Sequence, residues 1–147
     1  MPWSAEFYED SHGRMPVKRW MDKLPNVQAA AMGVAVERIL QPRGLDLVGT
    51  PWLRPLGDGL FEFRVRHSAE EIQAMYSAAG ERGRAPHHAV LLRMFVHFHG
   101  DKIVLLLNGY DKGRDDSRAR QQREIREARK RLGDWRTRQK AGDRSRE

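Results

Sequence analysis

Arginine, lysine, histidine and tyrosine carry the chemistry open to this chain, which has no cysteine. In residues 60–67 the alternation is clean: Phe61, Phe63 and Val65 fall on one side of an extended strand, and Glu62, Arg64 and Arg66 on the other. Arg93 and His97 share one side of a second strand, residues 89–98, and Tyr110, Lys112 and Arg114 stand where a third, residues 102–110, leaves the sheet. If these strands are neighbours, they form a cationic patch with one histidine and one tyrosine. Such a patch suits RNA cleavage without metal, in which the 2′-hydroxyl attacks its own phosphate to give a cyclic phosphate and a free 5′-hydroxyl. That reaction needs a base, an acid and cations around the phosphorane. Arginine gives bidentate phosphate contacts but is a poor acid or base, so His97, Tyr110 or Lys112 is the candidate for proton transfer. The same face also fits plain binding of phosphate or of partner carboxylates. His87-His88 and His97-x-His99 lack the thiolates and nearby acids of a zinc site. No metal or cofactor is expected, and Gly57-Asp58-Gly59 reads as a tight turn rather than a nucleotide loop.

The elements that must position these residues follow from periodicity. Residues 3–8 read as a first strand. Pro16 suits the first turn of a helix, with Val17, Trp20, Met21 and Leu24 on one face. Pro25 ends it, and Asn26 can cap a second, largely apolar helix over residues 27–40, so the two predict an antiparallel helical hairpin. Residues 45–59, rich in Gly and Pro, read as irregular. Asp115, Asp116 and Ser117 offer caps for a long C-terminal helix whose Ile125, Ala128, Leu132 and Trp135 form a narrow docking stripe. The expected fold is α+β: a compact antiparallel sheet with helices on one side, the helical hairpin first and the long helix last. Residues 1–140 form one domain, with a loop inserted at 68–88 that holds an extra helical turn at 69–75. Residues 141–147 read as a disordered tail.

Charge is concentrated at one end. Of 147 residues with a net charge of +7, those from Asp111 on hold 14 Lys/Arg against 8 Asp/Glu. A basic segment of this kind points to a phosphate-rich or acidic partner, with Arg66, Arg114, Arg118, Arg123, Arg126 and Arg129 as the contacts. The N-terminus lacks a signal-peptide layout, and the longest aliphatic run, residues 103–107, is far too short for a membrane span. With no cysteine, a cytoplasmic protein without a membrane partner is expected.

The run Arg54-Pro55-Leu56-Gly57-Asp58-Gly59-Leu60-Phe61-Glu62-Phe63-Arg64 resembles the signature turn and strand of the phage-derived HigB-like branch of RelE/ParE toxins. Pro16-Val17 with Trp20 and Leu24 resembles its first helix. Residues 102–112, ending Gly109-Tyr110-Asp111-Lys112, resemble its last strand, and Ile125, Ala128 and Arg131 its closing helix. The ordered set covers roughly residues 3–135. The resemblance implies a toxin of a type II toxin–antitoxin system that cuts messenger RNA on the ribosome. It also implies a helix-turn-helix antitoxin, through which alone the pair reaches operator DNA. It places the strand arginines on Arg64 and Arg93 and the strand-end aromatic and lysine on Tyr110 and Lys112. The family's second lysine, its histidine before the Gly-aromatic pair and its proline before the last helix are replaced here by Gly113, Asn108 and the residues around Ala119. Two other readings share these residues: a ParE-like inhibitor of DNA gyrase, and a non-catalytic phage-derived nucleic-acid-binding module.

Overall fold

The computed structural model describes residues 2–75 and 90–145, with side chains to residue 142. The chain runs β1 (Ser4–Phe7), α1 (Pro16–Lys23), α2 (Asn26–Ala35), a π-helical turn (Val36–Leu40), α3 (Gln41–Arg43) and a 3₁₀ turn (Gly44–Leu47). It continues through β2 (Leu53–Gly57), β3 (Leu60–Val65), α4 (Ala69–Met75), β4 (Leu92–His99), β5 (Ile103–Asp111) and α5 (Arg118–Ser145). The fold is α+β. One five-stranded sheet in the order β1-β5-β4-β3-β2 carries a long C-terminal helix and an N-terminal pair of helices. β2, β3, β4 and β5 pair antiparallel, and β1 joins β5 in parallel. Among the described residues no helix is long and apolar enough to cross a membrane.

The helices lie on both faces of the sheet, not on one as periodicity suggested. Val17 of α1, Met32 and Ala35 of α2 and Ile72 of α4 pack against Phe63, Val65, Leu92, Met94, Val96, Val104 and Leu106. On the opposite face Ala128 and Leu132 of α5, flanked by Ile125 and Trp135, cover Leu60, Phe95, Leu105, Leu107 and Tyr110. The α5 stripe is the one expected. It docks on the polar side of β3 and β4, because β5 is apolar on both faces and needs cover on each.

Three local features explain the boundaries. Pro42 has no N–H to give Arg38 four residues earlier, and the ladder widens just upstream, where Gln41 N–H bonds Val36 O in the π turn. β2 falls inside the stretch expected to be irregular. As an edge strand it tolerates Pro55, and it closes on β3 through Asp58 and Gly59, both at positive φ (55° and 82°), as a two-residue hairpin demands. α4 opens with a reciprocal cap: Glu71 N–H donates to Ser68 Oγ (3.2 Å) and Ser68 N–H to Glu71 Oε1 (3.1 Å). Ile72 then buries itself completely, with Ser68 and Ala69, so α4 docks on the core through one side; the rest of the loop expected at 68–88 lies outside the described residues. The tail expected from residue 141 continues α5 to Ser145, since extending a helix already propagating needs no new nucleus, even across Gly142.

Trp3 locks β1 to α3. Its N–H donates to Gln41 O (2.7 Å), its carbonyl accepts from Gln41 Nε2 (3.1 Å), and its ring meets Phe98 edge-on at 5.0 Å. Gly44, at φ +48°, lies under that ring: a Cβ there would sit 2.1 Å from Trp3 Nε1. Gly44→Ala should destabilise the protein by about 1–3 kcal/mol from overpacking, before backbone strain is added. Chemical denaturation checks this, and a variant as stable as the wild type would mean that Trp3 is free to move aside.

Candidate functional site

Register assembles the site. Arg64 on β3 stands opposite Arg93 on β4, and Arg93 stands opposite Tyr110 on β5. The three form one row across the sheet, about 10 Å from end to end at the usual strand spacing. One step along, Glu62, Phe95 and Asn108 form a second row on the same face. The β5 members reach that face through a bulge. The β4–β5 register shifts between Phe95 and Val96, and Leu107 is the extra residue. Without it, alternation from Leu105 would turn Asn108 and Tyr110 to the other side.

A buried carboxylate organises the two rows. Glu62 is fully buried; its Oε1 accepts from Arg64 Nε (2.9 Å) and lies 3.8 Å from Arg93 Nε, and its Oε2 accepts from Gln121 Nε2 of α5 (3.0 Å). Arg93, only 3% exposed, also donates from Nη1 to Leu92 O (3.2 Å). Burial pushes its pKa down and Glu62 pulls it back up, while Arg66 and Arg64 add repulsion. Tyr110 is fully buried, stacked parallel on Phe95 at 6.3 Å, with the Arg120 guanidinium 5.1 Å from its ring centroid. Burial, then the Glu62 charge, raises its pKa, so the group stays a phenol with a proton to give. Asn108 donates from Nδ2 to Glu124 O (3.1 Å) and Oε1 (3.2 Å), and Arg120 Nε donates to Glu124 Oε2 (2.9 Å). Three buried polar atoms on these rows find no hydrogen-bond partner among the described residues: Arg93 Nε, Asn108 Oδ1 and Tyr110 Oη. Such groups are rare in folded proteins, and their clustering marks a place built for polar contact.

The other expected site residues fall elsewhere. His97 shares the face of Arg93 but stands roughly 13 Å further along β4, four residues on. Its Nδ1–H donates to Gly59 O (2.7 Å), its ring meets Trp135 at 5.5 Å, and His99 lies beyond it. Lys112 is half-exposed just past the end of β5, and Arg66 is exposed just past β3. Arg114, Arg118, Arg123 and Arg126 are exposed. Arg129 is exposed but engaged: it donates to Leu56 O (2.7 Å) and Gly57 O (3.3 Å), tying α5 to the end of β2. His87 and His88 lie outside the described residues; among those described, no group of three His, Asp or Glu is placed to hold a metal ion.

Compared with family models and with curated proteins, the chain matches none.

Sequence reasoning put Glu62 on the right face without giving it a role, noted Asn108 only as a departure from the family pattern, and passed over Gln121, Arg120 and Glu124. The signal for Glu62 was present: a carboxylate two residues from an arginine on one strand face is an ion pair in waiting. Nothing in the sequence marked the α5 residues as its partners.

Glu62→Gln leaves Arg93 buried beside a neutral amide, which should cost about 3 kcal/mol; a urea titration that shows no loss would mean that Arg93 turns to solvent instead. Burial also holds His97 and His99 below the ordinary imidazole pKa. A depressed histidine stabilises the fold fully above its unfolded pKa, near 6.5, and that contribution drains as pH falls towards the folded value. The melting temperature should therefore drop between pH 7 and pH 5. His97→Asn, which keeps a donor for Gly59 O but does not titrate, should shrink that drop.

Proposed function

We propose that this chain is a metal-independent endoribonuclease of the RelE/HigB toxin type that cleaves messenger RNA held on the ribosome. The observation that carries the reading is the row Arg64–Arg93–Tyr110: two guanidiniums and a protonated phenol, in register on three neighbouring strands. Those are the cations and the acid that a phosphoryl transfer without metal requires, and Glu62 on the neighbouring row supplies a base. Negative charge grows on the phosphorane, and fixed arginines in a dry site stabilise it more than the ground state.

In this scheme the 2′-oxygen attacks phosphorus and loses its proton to Glu62, the carboxylate of the site. The bond to the 5′-oxygen breaks, and Tyr110 gives that oxygen its proton. The products are a 2′,3′-cyclic phosphate and a 5′-hydroxyl. Arg64 and Arg93 hold the non-bridging oxygens. The ribosome supplies the alignment of the message, so the chain itself needs few groups. RNA reaches the row when the first turns of α5 move, because Glu62, Arg93 and Tyr110 are closed off beneath them. Polar bonds from Gln121 and Glu124 hold those turns on the site, and water can replace such bonds. The helix-turn-helix antitoxin, and operator DNA reached through it, are proposed from the family resemblance, as is the cytoplasm as the place of action.

The test is induced expression with mapping of transcript 5′ ends, together with cleavage by the purified protein on translating ribosomes. Arg64→Ala should lower cleavage roughly a hundred- to thousandfold, the usual loss for one fixed donor in the transition state. Tyr110→Phe is the sharper variant. It removes a hydroxyl that has no partner among the described residues, so stability should hold or rise while cleavage falls. Growth arrest with no transcript cleavage would sink the nuclease reading and turn attention to gyrase.

A further inference from the structure

Beyond the row, three clefts adjoin between α1 and α5. The first, of about 260 Å³, is lined by Trp20, Lys23, Leu24, Asp111, Arg114 and Arg120. It shares Trp20 and Lys23 with the second, of about 360 Å³, which adds Arg14 and Arg19. The second shares Asp10, Pro16 and Arg131 with the third, of about 320 Å³, which adds Lys130. Together they make one groove along the side of β5 that β1 leaves after Leu106. Trp20 forms its saddle: its ring rests on Gly109, where a Cβ would lie 2.3 Å from Cζ3. One end reaches Arg120, over the ring of Tyr110.

The acids of this groove are already engaged. Asp10 accepts from the backbone N–H of His12 (2.8 Å) and Arg14 (2.9 Å). Asp111 accepts from Gly113 N–H (2.9 Å), and Glu127 pairs with Arg131 at 3.2 Å. Asp134 accepts from Tyr8 Oη (2.6 Å) and pairs with Arg138 at 2.7 Å. The exposed cations Arg14, Arg19, Lys23 and Lys130 form no salt bridge among the described residues. Cations outnumber acids along the groove, so it offers a surplus of positive charge on both walls and one half-buried indole between them.

We infer that this groove binds single-stranded RNA, its phosphates on Arg14, Arg19, Lys23 and Lys130 and a base on Trp20. Rows of cations broken by an aromatic are how proteins hold single strands without reading sequence. An acidic peptide fits less well. A helix would need a continuous apolar trough, and the apolar lining here, Trp20, Leu24 and Pro25 at one end and Pro16 and Tyr8 towards the other, is broken by charged side chains. Strand addition to β5 would compete with Arg131, whose Nη1 already donates to Leu107 O (3.0 Å). The inference rests on the nuclease reading for its biological sense, since it makes the groove the track leading to the row, but binding is measured without cleavage.

The probe is a fluorescent 2′-O-methyl oligouridylate of about 12 nucleotides, within the usual site size of a single-strand binder and unable to be cut. Anisotropy is followed against salt for the full-length protein and for the triple variant Arg19→Gln, Lys23→Gln, Lys130→Gln. These positions are exposed, and a circular dichroism melt confirms that the variant folds. The variant should bind at least about tenfold more weakly. Its log K against log salt slope should be shallower by about 2, near 0.7 for each of three phosphates that no longer meet a cation. Unchanged affinity and slope would overturn the assignment, as would a wild-type protein that does not bind the probe. Displacement of the probe by polyglutamate, charge for charge, would also overturn it and make the groove a seat for an acidic polypeptide. The two proposals fail separately: a triple variant weak in binding, with no cleavage in any background, keeps the groove and rejects the row. Normal probe binding by the triple variant, with cleavage lost only in Arg64→Ala, does the reverse.

Discussion

A guanidinium buried in the middle of a sheet needs a carboxylate beside it, and in this protein much else is arranged around that need. Taking Arg93 and Glu62 out of water costs several kcal/mol for each ion, which only close counter-charge and added hydrogen bonds can offset. Glu62 meets this with Arg64 on its own strand, Arg93 across the ladder and Gln121 from the helix above. The requirement fixes the register of β3 against β4. A slip of one residue would carry Glu62 to the apolar face beside Met32 and Leu92, where nothing could pair with it. It also fixes where α5 begins its descent onto the sheet.

α5 is held by two kinds of force along its length. In the middle, Ala128 and Leu132 press into Leu105, Leu107 and Phe95, an apolar contact that loses area and energy if it opens. Over its first turns the hold is polar: Ser117 Oγ caps Arg120 N–H (3.1 Å), and Gln121 and Glu124 reach down to Glu62 and Asn108. Hydrogen bonds contribute little net free energy when water can replace them. The apolar anchor of the helix lies at Leu132, and its hold above Tyr110 is polar.

The bulge at Leu107 ties the row to the helix and to the groove. By inserting one residue into β5 it keeps Leu105 and Leu107 under α5 and still presents Asn108 and Tyr110 to the same side. Gly109 then faces the other way, bare enough for Trp20 to lie flat against the backbone. The phenol on one face and the indole on the other are thus set by the same irregularity, one at the ionic row and the other at the saddle of the cationic groove.

The sequence by itself determined which segments became strands β3, β4 and β5, which side of β3 and β4 is charged, and which stripe of α5 is apolar. These are local properties: alternation and helical period are written in neighbouring residues. The helical turn of α4 is equally local, with its caps in Ser68 and Glu71, but its docking on the core through Ile72 is not. β2 was hidden by Pro55, which is compatible with a strand only at an edge, and no local pattern says which strand is the edge. Only the tertiary structure decided that α5 covers the charged face, because an apolar stripe fits any apolar surface and does not name its partner. Parity likewise put His97 on the side of Arg93 but said nothing of distance, and four residues of strand carried it to Trp135 and Gly59. The bulge at Leu107 is the last such decision: whether a residue is extra depends on its partner strand, and a chain read one residue at a time has no partner strand to compare.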